Sequence, residues 1–242
     1  MGETRKGEYG FDAPYVPLGY AVGGTVLVVG GVFLGVLGLV LVGIVLLLCA
    51  GVFLHATRRG KFQIWENALD ELKLEPDARV LDLGCGRGAV LLAAAQRLGA
   101  GGRAVGIDLW RTVDQSGNAL ETTRRNAVAE GVADRVELHT GDLTELPFAD
   151  GSFDVVVSSL AIHNIDAEIG RTTAIREAVR VLAPGGRIVF VDLRIAAEYV
   201  DVLGERGMTD IVDRDEGVNG WWSGPWMPTR RVTARKPAAR RL

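Results

Sequence analysis

Three acids, three glycines and one histidine stand where chemistry could be done. Asp82 precedes Gly84, Cys85, Gly86 and Gly88 in the run V-L-D-L-G-C-G-R-G-A-V at residues 80–90. Glycine lacks a Cβ, so such a loop turns tightly and brings backbone N–H groups close to a ligand. A helix N-terminus behind it favours polar or anionic groups. Asp108 closes the apolar run R-A-V-G-I-D roughly 20 residues further on, where a doubly wound fold places a ribose-binding carboxylate. Asp142 closes a third run, R-V-E-L-H-T-G-D. Ser158 and Ser159 end a fourth, and His163 and Asn164 follow directly. An imidazole there is a candidate general base, and an amide beside it could orient a carbonyl or hydroxyl.

These residues need a scaffold that repeats strand, turn and helix. Apolar strands at 79–83, 103–108, 135–142, 153–159 and 187–192 alternate with helical runs at 90–98, 116–130, 167–181 and 196–206. Shorter strands are expected at 209–212 and 231–235. The spacing G-x-G-x-G differs from the G-x-G-x-x-G of dinucleotide binders and argues against a nicotinamide-dependent dehydrogenase.

With the Pro184-Gly185-Gly186 turn, these five motifs in order resemble the class I S-adenosylmethionine-dependent methyltransferases, from about residue 62 to the C-terminus. The resemblance implies an α/β, doubly wound, Rossmann-like sheet of seven strands with an antiparallel last strand. It implies S-adenosyl-L-methionine as cofactor. The loop of Gly84, Cys85, Gly86 and Gly88 would receive the methionine portion, with Asp82 near its amino or carboxyl end. Asp108 would take the ribose hydroxyls, and Asp142 with Leu143 the adenine. Leu109, Ser158 and Ser159 complete the expected cofactor contacts. Trp110 either stacks on adenine or anchors its loop. Residues 109–118 form a polar insert, whose D-Q-S-G-N run at 114–118 either caps the next helix through Ser116 or Asn118 or lines the substrate mouth. His163 is the expected base, or else it packs on the cofactor or orients a neighbour. No metal site is expected.

Upstream, residues 13–57 contain no Asp, Glu, Lys or Arg, and residues 18–54 are almost wholly apolar. One membrane span needs about 20 apolar residues. The run could hold one tilted helix or two short ones; glycines near its midpoint and basic residues on both flanks favour a hairpin. Gly19-x-x-x-Gly23 and Gly31-x-x-x-Gly35 offer smooth helix faces. The expected division is a cytoplasmic segment at 1–17, a transmembrane segment at 18–57, a linker and cofactor-covering helix at 58–75, and the methyltransferase domain at 76–242. The residues R-R-G-K at 58–61 read as a basic collar, and the tryptophan-rich run at 217–228 as a membrane or substrate contact or a cover for the last strands.

The net charge of −3 points away from nucleic acid as a partner. Cys49 lies in the apolar run and Cys85 in the glycine loop, so no disulfide framework is available and a reduced compartment is expected. The expected partners are the lipid bilayer and a small-molecule methyl acceptor, with the catalytic domain on the cytoplasmic face of the cell membrane. The acceptor would be lipophilic: an isoprenoid, a quinone precursor or a lipid. A small amphipathic metabolite or xenobiotic, or a non-catalytic cofactor-binding membrane protein, are the alternatives. Acceptor atom and oligomeric state stay open.

Overall fold

The computed structural model describes residues 5–112, 117–193 and 195–238. Its α/β part is one seven-stranded sheet: β1 (Arg79–Leu83), β2 (Arg103–Asp108), β3 (Val136–Thr140), β4 (Phe153–Ser159), β5 (Leu182–Leu193), β6 (Thr209–Asp215) and β7 (Thr229–Arg235). The order is β3-β2-β1-β4-β5-β7-β6. The first five strands run parallel, and β7 is antiparallel to both β5 and β6. The order reverses between β1 and β4, so a crevice opens at the carboxyl ends of those two strands.

Alternation on the central strands feeds two cores. Val80, Val155, Val157, Val189 and Val191 face one layer, formed with α3 (Lys61–Leu72), α4 (Ala89–Arg97) and the end of α5 (Leu120–Ala129). Leu81, Val156, Ile188 and Phe190 face the other, under α6 (Glu168–Val181) and α7 (Ala196–Glu205). Burial on both faces is why these strands read as continuous apolar runs.

Three local readings change. The Pro-Gly-Gly segment is not a turn before β5 but a bulge within it: Gly185 adopts φ 84° and its N–H donates to Lys236 O, while Lys236 N–H donates to Gly186 O. Strands β6 and β7 are longer than expected, because charged cross-strand pairs such as Arg230–Asp213 (2.7 Å) extend the edge where apolar alternation stops. Helix α5 starts later than expected. Ser116 lies outside the described residues, Ala119 is the N-cap without a side-chain bond, and Asn118 turns inward instead.

The apolar stretch forms two helices, α1 (Tyr15–Leu34) and α2 (Leu37–His55), both long and apolar enough to cross a membrane. Gly35, at φ 67°, makes the turn, and the N–H of Val36 returns to Gly31 O. Of the expected glycines Gly31 makes the helix contact, and it is joined by Gly24 and Gly43. A Cβ on Gly24 would lie 2.8 Å from Gly43 O, one on Gly43 2.6 Å from Gly24 O, and one on Gly31 2.8 Å from the Val40 backbone. Gly19 faces open space and Gly23 meets only Leu46 at 3.8 Å. A spacing of seven, as in Gly24 and Gly31, keeps one side of a helix smooth.

No linker separates the hairpin from the domain. Helix α2 passes through a π-type turn, Ala56–Gly60, directly into α3. The first described residues do not trail away either. Backbone N–H groups of Lys6 and Gly7 and the Tyr9 hydroxyl all donate to Glu130 Oε1, at 2.9, 2.8 and 2.8 Å. Asn126 bonds Glu8 through both its backbone groups. Both feet of the hairpin therefore stand on the α/β domain. The tryptophan loop packs between them. Trp222 is buried edge-on to Phe53 at 5.1 Å, Asn219 Oδ1 lies 3.1 Å from His55 Nε2, and the hydroxyls of Ser223 and Tyr20 are 3.1 Å apart. Trp226 remains exposed.

Candidate active site

The crevice is built first by the loop after β1. Gly84, Gly86 and Gly88 have φ of 70°, 50° and 86°. A Cβ on Gly84 would come within 2.2 Å of Ala161 Cβ, so the loops after β1 and β4 touch there. The N–H groups of Gly84 and Cys85 donate to Ile107 O, and that of Gly86 donates to Asp108 Oδ2 at 2.9 Å. The other oxygen of Asp108 accepts from Trp110 N at 2.6 Å and Asn118 Nδ2 at 3.2 Å. One carboxylate thus ties together the glycine loop, the end of β2 and the insert that follows.

Asp82, Gly84, Cys85, Gly86 and Asp108 line one cleft with Leu109, Asp142, Leu143, Ser159 and Asn164. Asp142 Oδ1 accepts from the backbone N and the hydroxyl of Thr144, both at 2.8 Å, and these bonds hold its carboxyl below the ordinary range. Asp82 is 1% exposed, and neither of its oxygens has a hydrogen-bond partner among the described residues. Burial pushes its carboxyl up to about 8; the charge of Asp108 adds to the rise and the nearby amide of Leu91 offsets part of it. Burial likewise raises the Cys85 thiol well above its usual range, with Asp82 and Asp108 contributing.

Four expected site residues are not among those lining the cleft. Gly88 caps α4, and a Cβ there would meet Thr123 Cγ2 at 3.0 Å; its glycine is needed for packing. Ser158 is buried and donates to Leu83 O, joining β4 to β1. The indole N–H of Trp110 donates to Thr140 Oγ1 at 2.8 Å, which lays the ring along the end of β3. His163 sits in a one-turn helix beside the cleft, part exposed, with Nδ1 bonded to Oδ1 of Asp192. Asp192, at 2% exposure, also accepts from the Tyr199 hydroxyl and from the N–H of Leu193, both at 2.7 Å. Commitment of Nδ1 to a carboxylate leaves proton exchange on this ring to Nε2.

Sequence reasoning missed Asp12 and Lys61, which also line the cleft; Asn118 lines it too, in keeping with the second of the two readings given for its run. Lys61 leaves the expected basic collar: it is buried and donates to Asp12 Oδ2 at 2.6 Å, which Thr57 Oγ1 also reaches at 2.8 Å. Asp12 and Lys61 are separated by the whole hairpin, so their only signal was to be charges at either end of an uncharged stretch. Trp65, on α3, is buried and donates to Ser159 Oγ at 2.8 Å, which ties α3 to the end of β4.

Comparison with known proteins meets this geometry. Residues 81–190 match a family model described as a methyltransferase domain. The ubiquinone/menaquinone biosynthesis C-methyltransferase of Geotalea daltonii is 32% identical over 125 residues, covering 52% of this chain and 49% of that protein. The demethylmenaquinone methyltransferase of Lactiplantibacillus plantarum is 33% identical over 134 residues, 55% of this chain and 53% of the relative. Geranyl diphosphate C-methyltransferase from Streptomyces coelicolor superposes with a TM-score of 0.58 at 17% identity, over 75% of this chain and 80% of that one, a likeness of fold. Residues 81–190 therefore carry a methyltransferase domain, and the comparisons support S-adenosylmethionine as its cofactor. It spans about half the length of the curated relatives it matches.

The residues present suit that cofactor. Asp82 offers a buried carboxyl group with no hydrogen-bond partner among the described residues, which an ammonium group would satisfy. The glycine loop admits close backbone approach, and Asp108 stands at the ribose position of a doubly wound fold.

Proposed function

We propose that the protein is a membrane-anchored methyltransferase that moves the methyl group of S-adenosylmethionine to a lipophilic acceptor, a prenylated quinone precursor being the best-supported class. One observation carries this reading: Asp12 and Lys61, at the two feet of the apolar hairpin, line the same cleft as the glycine loop. An acceptor dissolved in a bilayer around the hairpin would meet the cleft at membrane level. The names of the quinone-methylating relatives support the same class. Basic residues at both feet favour the cytoplasmic face of the cell membrane for the domain.

The bound cofactor supplies a methyl group already activated on a sulfonium. The chain's part is then positioning, exclusion of water and management of one proton. Asp82 holds the amino end, Asp108 the ribose and Asp142 with Leu143 the adenine. Trp65 and Leu160 restrict water on the acceptor side. Asn164 orients the acceptor's oxygen, and His163 receives its proton at Nε2, the imidazolium being stabilised by Asp192. Incubating the full chain with labelled cofactor and a membrane lipid extract tests the reading: label is expected in the organic phase. Label confined to water-soluble products would contradict it.

A further inference from the structure

Lys61 is buried at the wall of the cleft, a costly place for a lysine. Nζ carries three hydrogens. Among the described residues its oxygen partner is Asp12 Oδ2, and the Phe62 ring lies 5.3 Å away. Asp12 is itself steadied by Thr57, through Oγ1 to Oδ2 and through its own N–H to Oγ1 at 3.3 Å. The carboxylate accepts one of the ammonium's hydrogens, and Nζ keeps N–H capacity for another oxygen. Asn164 and Ser159 line the same cleft as Lys61. Leu160, which also lines it, packs into an apolar cluster with Phe53, Ala56 and Trp222 at the base of the hairpin. A polar end and an apolar wall thus meet at Leu160.

We infer that Lys61 recognises the acceptor: it donates to a ring hydroxyl oxygen, or its anion, of an amphipathic lipid whose apolar tail leaves the cleft past Leu160, at the base of the hairpin where Phe53 and Trp222 are buried. The inference rests on the proposed methyltransferase with a lipophilic acceptor. It adds a requirement for an acidic oxygen on the acceptor. It also explains why the hairpin's feet meet at this point. A lysine kept only to pin the N-terminal strap would be indifferent to the acceptor's oxygen.

The test uses the full chain in phosphatidylcholine nanodiscs with S-adenosylhomocysteine. Two labelled probes are bound: a 2-prenyl-1,4-dihydroxynaphthalene and the same prenylated naphthalene without hydroxyls. The wild type is expected to prefer the hydroxylated probe by about tenfold, as one charge-assisted hydrogen bond allows. Lys61→Met is expected to abolish that preference while cofactor affinity stays within about twofold. Lys61→Arg, which keeps the charge, should retain part of it. If Met disturbs the packing, seen as lost cofactor binding, Lys61→Gln carries the same expectation. A preference that survives in either neutral variant overturns the role of Lys61 alone. A wild type that binds neither probe overturns both this role and the lipophilic-acceptor reading.

Discussion

At the scale of single residues, the site depends on carboxylates whose surroundings differ sharply. Asp108 accepts from three donors and keeps acceptor capacity for a ligand, Asp142 is held by Thr144, and Asp82 is buried with no hydrogen-bond partner among the described residues. The last case has a consequence in pH. The folded, cofactor-free protein keeps a proton on Asp82 up to about 8, whereas the unfolded chain releases it near 4. Between those values the folded state binds more protons, so stability falls as pH rises. Thermal unfolding of the cofactor-free protein should show this slope, and Asp82→Asn should remove it; identical slopes would contradict the assignment. Cofactor binding, by bringing an ammonium to Asp82, should flatten the same slope. His163 carries a second expectation. Replacement by Ala should lower turnover by about 10² to 10⁴ with cofactor affinity little changed. Unchanged turnover would remove the base from the account. The strand-end acids were legible in the sequence because the fold sets them at fixed distances from strands. The partners of His163 and Lys61 were not, because Asp192 and Asp12 lie 29 and 49 residues away and only the folded chain brings them together.

At the scale of elements, alternating patterns located every strand and helix of the α/β part, because burial on both sheet faces leaves long apolar runs. Boundaries failed where another interaction replaced burial. The bulge at Gly185, the charged edge of β6 and the inward turn of Asn118 each extend or trim an element by polar contacts that periodicity does not register. The hairpin is the sharpest case. Its sequence is so uniformly apolar that no face stands out, and the glycines that matter are those that meet backbone: Gly24, Gly31 and Gly43. Gly43→Leu should therefore separate α1 from α2, since overpacking against main chain cannot be relieved by a rotamer. Spin labels at Val16 and Leu54, both exposed, should move apart in that variant, while Gly19→Leu leaves their distance unchanged. Equal distances in all three proteins would contradict the glycine contact.

At the scale of the whole molecule, the hairpin and the domain form one construction. The strap at residues 5–12 binds Glu130 and Asn126, α2 flows into α3 without a linker, and the tryptophan loop seals the base. Hairpin and cleft are thereby held in register, which a flexible tether would not achieve. The central claim is that this register delivers a bilayer-borne acceptor to the cofactor. The most direct measurement compares methyl transfer by the full chain to a prenylated 1,4-dihydroxynaphthalene embedded in vesicles and to its tail-less, water-soluble counterpart. The account predicts transfer to the prenylated compound with a kcat/KM at least about tenfold higher. Equal or greater transfer to the tail-less compound would contradict it.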